Sequence, residues 1–356
     1  MTIATQRAVP RTAPLVDDDH EQVVVRQDHE TGLRFIVAVH STVLGPALGG
    51  MRLKRYPGGL REALDDVMGL ARTMTLKASA AGLDLGGGKS VMIDDGRAEL
   101  REARLEAAAE VIDSLGGAYI TAEDIGTSTA DMDHLARFTR FVTGRSVERG
   151  GRGDPSPVTA ESVFQALRRG LYAATGSAEL EGRRIGVVGL GKVGYVLAAR
   201  LAQAGAWIVA CDVDNSRPER FVSEHGGEIA ASAEAVMTTE LDVLAPCAGG
   251  GMIDEALARA TACRVIAGAA NNPLTSRRVA RTLAERDVLY VPDFLANCGG
   301  LIHVSLEWTR GDGERELIAR AMDRLDRALI EAEAEDSTPL EVAERHALER
   351  VEAARR

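Results

Sequence analysis

A chain of 356 residues is long enough for two domains of about 150 residues, each with its own core. Its 45% apolar and 27% charged residues are the composition of a globular protein, and no apolar run approaches the ~20 residues that cross a bilayer. The 42 basic and 53 acidic side chains leave a formal net charge of −11 without a basic run, which argues against nucleic acid as the main partner.

Residues 1–20 are polar, contain Asp17-Asp18-Asp19 and lack an apolar signal core, so they read as the disordered tail of a cytoplasmic protein. Residues 21–41 predict a hairpin, with Val- and Ile-rich strands at Gln22–Gln27 and Leu33–His40 around a turn at 28–32. Leu44-Gly-Pro-Ala-Leu-Gly-Gly-Met-Arg52 is too rich in glycine and proline to predict a regular element. From Leu60 a helix is expected, with Leu64, Val67, Met68, Ala71, Met74 and Ala78 on one face and Gly82 as its stop. Lys89–Ile93 reads as a strand, Glu99–Leu115 as a helix, Tyr119–Thr121 as a strand and about 130–141 as a helix. Alternating strands and helices indicate an α/β domain.

Within this half, residues 75–90, TLKASAAGLDLGGGKS, place Lys77 and Lys89 on either side of a turn. Three glycines before Lys89 leave room for another group to approach. A lysine desolvated beside a second cation is usable as a base near neutral pH. The plain alternative is a glycine turn with two solvated lysines.

Four glycines and two prolines in residues 144–158 mark the domain boundary, the kind of connector that borders a cleft. A helix from Glu161 to Thr175 is expected next. The second domain opens with an apolar strand at Ile185–Val188, then Gly189-Leu-Gly-Lys-Val-Gly194, a helix over Val193–Ala204, and a strand ending in Asp212. This is a dinucleotide-binding pattern in its full context: Gly189 for the tight turn, Gly191 for approach to a pyrophosphate, Gly194 for helix–strand packing. Val193 opens the helix whose N-terminus faces the anion, and Lys192 just before it joins the cofactor-binding residues. Asp212 would bond a ribose 2′-OH and repel a 2′-phosphate, favouring NAD; an NADP-linked enzyme would need Arg217 or Arg220 to reach past it.

Further strands at Leu241–Ala245, Val265–Ala267 and Val288–Val291 end in the loops 246–250, 268–272 and 292–300. Ligands of open parallel sheets bind beyond the carboxyl ends of the strands, so Cys247, Ala248, Asn271, Asn272 and Asn297 stand where a cofactor or substrate would lie. Each asparagine has a plainer reading as a turn residue. Beyond 301–308, an apolar stripe from Leu317 to Leu329 and a capping box, Thr338-Pro-Leu-Glu341, predict two helices that pack back on the first domain or on a partner subunit. The four cysteines (Cys211, Cys247, Cys263, Cys298) lack CxxC spacing and read as free thiols, and seven scattered histidines without HxxxH or HxH pairs give no reason to expect a metal.

The motifs TLKASAAGLDLGGGKS, YITAEDIGT with ADMD, GDPSPVTA, GLGKVG, LAPCA, GAANN and PDFLANCGG, in this order, resemble the glutamate/leucine/phenylalanine/valine dehydrogenases from about residue 22 to at least 305. The resemblance implies two domains: an N-terminal α/β substrate and oligomerisation domain (21–143 plus about 321–356), and a Rossmann-type, doubly wound NAD domain (144–320). It implies oxidative deamination of an L-amino acid to a 2-oxo acid and ammonia, with NAD taking the hydride, in a homo-oligomer. Lys77 then resembles the lysine that holds the substrate carboxylate, with backbone at Gly49 and Gly50. Lys89 resembles the catalytic lysine of lowered pKa that activates water, and Asp124 the acid that shuttles protons to and from the amine. Thr159, Asn271 and Asn297 resemble residues at the nicotinamide end, Asn271 also near the substrate. Leu48, Ala122, Leu301 and Val304 resemble the pocket lining; all are aliphatic, which favours leucine or valine. The stretches Asp293-Phe294 and Ile302-His303-Val304 look more like the phenylalanine enzymes, so L-phenylalanine is the alternative. A regulatory NAD-binding protein is the non-enzyme alternative, and it would have no need of Lys77, Lys89 and Asp124 together. Two features depart from the family: Cys298 in place of the usual alanine, and the segment 306–314.

Overall fold

The computed structural model describes residues 19–356. Of the tail expected over 1–20, residues 1–18 lie outside the described residues. The last two do not fit the expectation: Asp19 pairs with Arg72 at 3.2 Å, and the His20 ring bonds the Met68 carbonyl at 3.0 Å.

The first half builds a five-stranded mixed sheet. Strands β1 (Gln22–Gln27) and β2 (Arg34–Ser41) form the expected antiparallel hairpin. A third strand, β3 (Ala47–Lys54), corrects the expectation of irregular chain at 44–52. Glycine normally weakens a strand, but here Gly49 and Gly50 let neighbouring groups close in. A Cβ at Gly49 would collide with the Gly88 carbonyl oxygen, and one at Gly50 would lie 2.7 Å from Asp124 Cβ. Helix α1 (Gly59–Ala81) follows and ends at Gly82, whose φ of 76° is the left-handed stop. Then come β4 (Gly86–Ile93), α2 (Arg101–Ser114), β5 (Tyr119–Glu123) and α3 (Thr129–Leu135). The helix expected to reach residue 141 stops at Leu135 because the chain turns to lie beside β5: the Thr121 N–H bonds the Phe141 carbonyl, and the Thr143 N–H returns to Thr121.

The strand order is β1-β2-β4-β3-β5, with β4, β3 and β5 parallel. Alternate residues of β2 feed opposite cores. Phe35, Val37 and Val39 join Leu105, Ile112 and Met132, whereas Ile36 and Ala38 join Leu64, Val67 and Ala71 of α1. Burying each large apolar side chain contributes about 1.5–3 kcal/mol, so both faces of the sheet are held.

The second half begins with α4 (Ser156–Thr175), which starts five residues before the expected Glu161 because Pro155 and Pro157 suit a helix's first turn. The nucleotide-type sheet follows: β6 (Arg184–Val188), α5 (Lys192–Gln203), β7 (Trp207–Cys211), α6 (Ser216–His225), β8 (Glu228–Ile229), α7 (Ala233–Thr238), β9 (Glu240–Pro246), α8 (Glu255–Ala260), β10 (Ala262–Ile266), α9 (Arg277–Ala284) and β11 (Leu289–Tyr290). All six strands are parallel, in the order β11-β10-β9-β6-β7-β8. The order reverses between β6 and β9, and such a switch point is where open α/β sheets bind ligands.

Helices α10 (Asp293–Ala296), α11 (Gly299–Thr309), α12 (Glu314–Glu335) and α13 (Pro339–Ala354) complete the chain. The capping box of Thr338 and Glu341 is formed in both directions. The last helix returns to the first half: the Ser79 hydroxyl donates to the Ala347 carbonyl at 2.7 Å, and Arg350 donates to the Leu83 carbonyl at 2.8 Å. No helix among the described residues is long and apolar enough to cross a membrane.

Candidate active site

Both lysines are buried, Lys77 to 7% and Lys89 to 6% exposure, so the reading of two solvated lysines fails. Lys89 Nζ lies 3.0 Å from Asp124 Oδ2, and Arg52 Nε meets the same oxygen at 2.9 Å. Arg52 also pairs with Asp66 at 3.2 Å, and the Tyr56 hydroxyl donates to Asp66 at 2.6 Å. Burial alone would raise the Asp124 pKa, but Lys89 and then Arg52 outweigh it and hold the carboxyl at about 2. Arg52, Asp66 and Tyr56 were not foreseen. Arg52 lay in the stretch expected to be irregular, and Asp66 lies off the apolar stripe by which α1 is recognised.

Lys77 Nζ donates to Asn271 Oδ1 at 2.8 Å, a bond from α1 to the loop after β10 in the other sheet. Burial pushes the Lys77 pKa down to about 8; Asp293 opposes this and Lys89 adds to it. The Asn297 amide donates to the same Asn271 oxygen at 3.1 Å and to the carbonyls of Ala269 and Ala270 at 3.1 and 3.3 Å. Its Oδ1 is buried with no partner among the described residues. Asp293, at the start of α10, takes the Tyr290 hydroxyl at 3.0 Å and the Asn272 N–H at 2.8 Å. Asn272, at φ 48°, is thus a turn residue tied to Asp293, as the plainer reading had it. Cys298 is fully buried; burial pushes its thiol up to about 12, with Lys77 pulling the other way, so it stays a neutral thiol.

The aliphatic positions gather near these groups. Leu48 lies in β3 beside Gly49 and Gly50, Ala122 in β5 two residues before Asp124, and Leu301 and Val304 in α11; all are buried. A Cβ at Gly144 would be 3.9 Å from both Ala122 Cβ and Val304 Cγ1, which puts both beside the connector's first residue. That connector is pinned by Glu307 of α11, which accepts from the Gly144 N–H at 3.0 Å, the Arg145 Nε at 2.9 Å and the Arg152 N–H at 3.1 Å. His303 bridges Glu314 at 2.6 Å and the Arg152 carbonyl at 3.1 Å. The departing segment 306–314 therefore contributes the groups that hold the connector in place.

In the other wall, Gly189 has a φ of 99°, and a Cβ there would lie 2.9 Å from Ala248 and 3.0 Å from the Cys247 carbonyl carbon. Cys247 and Ala248 thus back the glycine loop, and Gly194 packs on the Gly189 carbonyl and Cys247. A Cβ at Gly191 would meet only open space, as a loop that admits a pyrophosphate requires. Asp212 Oδ2 accepts the Leu190 N–H at 2.7 Å, bracing the loop. Val193 lies in the first turn of α5, and Lys192 at its start reaches toward Glu123 Oε1 at 3.9 Å. Thr159, in the first turns of α4, sits against the start of α11: a Cβ at Gly300 would be 2.6 Å from its hydroxyl.

A buried lysine–carboxylate centre on one sheet, with a glycine loop at the switch point of a second, parallel sheet, is the arrangement of a two-domain oxidoreductase that uses a nicotinamide cofactor. The comparisons agree. The family model of the Glu/Leu/Phe/Val dehydrogenase dimerisation domain matches residues 20–141, and that of Glutamate/Leucine/Phenylalanine/Valine dehydrogenase matches 213–356. The chain is 39% identical over 340 residues to a leucine dehydrogenase of Thermoactinomyces intermedius, covering 95% of this chain and 92% of that protein. It is 45% identical over 298 residues to a valine dehydrogenase of Streptomyces virginiae, covering 83% of each. Among solved structures, an L-tryptophan dehydrogenase from Nostoc punctiforme superposes with a TM-score of 0.79 at 30% identity, covering 95% of this chain and 97% of that one. A hetero-hexameric glutamate dehydrogenase from Thermus thermophilus shares the fold, with a TM-score of 0.78 at 24% identity over 94% and 89% of the two chains. The chain belongs to the glutamate/leucine/phenylalanine/valine dehydrogenase family and is an amino-acid dehydrogenase that catalyses oxidative deamination.

Proposed function

We propose that this enzyme oxidises a branched-chain L-amino acid, leucine or valine, to the 2-oxo acid and ammonia with NAD as hydride acceptor. The observation that carries the reading is the chain of contacts Asp124–Lys89 and Lys77–Asn271, which sets a carboxylate and two buried lysines against the nucleotide-binding half. Lys77, with the backbone of Gly49 and Gly50, binds the substrate carboxylate. Asp124, ionised above about pH 2, takes a proton from the substrate ammonium, which frees the nitrogen lone pair to form the imine. A bound NAD would supply the acceptor for the hydride that leaves Cα. Lys89 then assists water in attacking the imine carbon, and Asp124 returns its proton to nitrogen so that ammonia departs. Burial of the whole set excludes bulk water and strengthens each electrostatic contact.

The residues present fit NAD. Gly191 leaves space at the α5 N-terminus, Asp212 offers a carboxylate where a ribose hydroxyl would lie, and the unpartnered Asn297 oxygen supplies an acceptor at the nicotinamide end beside Thr159 and Asn271. Of the two arginines able to reward a 2′-phosphate, Arg220 is engaged with Glu224 at 2.7 Å, while Arg217 is held on Asp212 itself and on Asp214, at 3.5 and 3.3 Å. The aliphatic lining of Leu48, Ala122, Leu301 and Val304 offers no cation for an acidic side chain. Residues 21–143 with about 321–356 form the substrate and assembly domain in this reading, and 144–320 the NAD domain. Self-association through the first domain is supported by the match to a dimerisation domain and by β1, an edge strand with Val25 exposed. Four unpaired cysteines suit the reducing cytoplasm.

The test follows NADH absorbance with L-Leu, L-Val, L-Ile, L-Phe and L-Glu at alkaline pH. The highest kcat/KM is expected with leucine or valine. Activity on L-Phe alone overturns the substrate assignment, and turnover with NADP only overturns the cofactor.

A further inference from the structure

A cavity of about 450 Å³ lies between the last turns of α1, Leu295 of α10, and the facing sides of α12 and α13. That volume lies in the range of small-molecule sites, and Ala80, Leu295 and Ala347 give it an apolar floor. Its polar lining is dominated by Arg324, Arg327 and Arg350.

These arginines are unequally satisfied. Arg350 donates to the Leu83 carbonyl at 2.8 Å and to Asp84 at 2.7 Å, a cation placed at the C-terminal end of α1 where the helix dipole favours it. Arg324, half-buried over Gly82, donates only to the Arg320 carbonyl at 3.3 Å among the described residues. Arg327 has no ion pair among the described residues. The acids on the rim do not answer them. Glu331 is taken by His346 at 2.6 Å and Arg345 at 3.6 Å, and Glu349 is exposed. Burial, and then the neighbouring Arg350, Arg320 and Arg327, push the Arg324 pKa down, with Asp323 opposing, so like charges crowd this guanidinium. An anion relieves that crowding, and the planar guanidinium fork is suited to carboxylate or phosphate.

We propose that this cavity is a binding site for a small organic anion, its carboxylate or phosphate head on Arg324 and Arg327 and its body against the apolar floor. The site is separate from the glycine loop and from the lysine–Asp124 centre. Two of its lining residues are close in the chain to the proposed active site: Ser79 is two residues beyond Lys77 and Leu295 two residues before Asn297.

The test is isothermal titration of the full chain, with NAD at saturation so that the glycine loop is occupied, using inorganic phosphate, ribose 5-phosphate and succinate as separate probes. At least one organic probe is expected to bind, and the preference between ribose 5-phosphate and succinate tells phosphate from carboxylate. Arg324→Gln with Arg327→Gln is expected to weaken that binding about tenfold or more, the loss of charge-assisted hydrogen bonds. Arg327→Gln alone, at an exposed position, is expected to weaken it with an unchanged circular dichroism spectrum. The proposal is overturned if no probe binds, or if the double variant binds as the wild type does. It is equally overturned if the double variant changes only the size of the assembly, which would make the arginines a subunit contact.

Discussion

Lys89 and Asp124 meet at 3.0 Å by reaching over β3, the strand that separates β4 from β5, and they do so where that strand is Gly50. Any side chain at Gly50 would press on Asp124 Cβ at 2.7 Å. Gly50, one of the two glycines that disguise β3 as a loop, is thus what lets the ion pair form. Lys89→Ala is expected to lower kcat by about 10²–10⁴-fold, the range for a lost acid–base group. Lys77→Ala is expected to act mainly by raising KM for the amino acid. Steady-state kinetics of both variants check this, and full kcat/KM in both would remove the site assignment.

Arg52 shares Asp124 Oδ2 with Lys89, so Arg52→Gln leaves the carboxylate with one cation instead of two. An opposite charge at this distance lowers a carboxyl pKa by about 1–3 units, so losing it raises the pKa of Asp124 from its value of about 2. The acid limb of kcat/KM is expected to move to higher pH by about a unit or more, with Lys89, Asp66 and Tyr56 still in place. The sign for stability is the same: a depressed carboxyl stabilises the fold above its unfolded pKa and loses that contribution as pH falls through the folded one. Urea melts of the wild type and Arg52→Gln should therefore differ most above about pH 4 and converge toward about pH 2.

In the proposed function Lys77 carries the charge for the substrate carboxylate, yet burial lowers its pKa to about 8. Below that value the free enzyme holds the ammonium; above it the binding-competent fraction falls about tenfold per pH unit. The inhibition constant of an unreactive carboxylate analogue is expected to be flat below pH 8 and to rise above it. In Lys77→Arg, whose guanidinium stays charged, the rise should vanish even if binding is weaker overall. A pH titration of both proteins by inhibition kinetics decides it.

Gly194 lies so close to the Gly189 carbonyl and to Cys247 that an added methyl has no room, and the obstacle is backbone. Gly194→Ala is expected to cost about 1–3 kcal/mol by overpacking and to displace the glycine loop. Both a lower Tm and weaker NADH binding, read by fluorescence titration, should follow. A Cβ at Gly191 meets no protein atom, so Gly191→Ala should leave Tm unchanged and weaken NADH binding alone.

Where local pattern decides structure, the sequence was sufficient. The hairpin of β1 and β2, the apolar face of α1 with its stop at Gly82, the glycine loop with Asp212 beyond it, and the capping box of α13 all depend on residues a few positions apart. The lysines, Asp124 and the asparagines stood out for the same reason, in short motifs of unusual composition. Only the tertiary structure decided what those residues touch. Glycine propensity argues against a strand at 47–54, but close approach to Gly88 and Asp124 overrides it, and with β3 came Arg52 as a second cation on Asp124. Lys77 and Asn271 are 194 positions apart, and no periodicity joins them. Their 2.8 Å bond exists because α1, packed on one sheet, and the loop after β10 of the other sheet face each other. The lowering of the Lys77 pKa has the same origin: burial is its largest cause, and burial belongs to the packed chain, not to a motif.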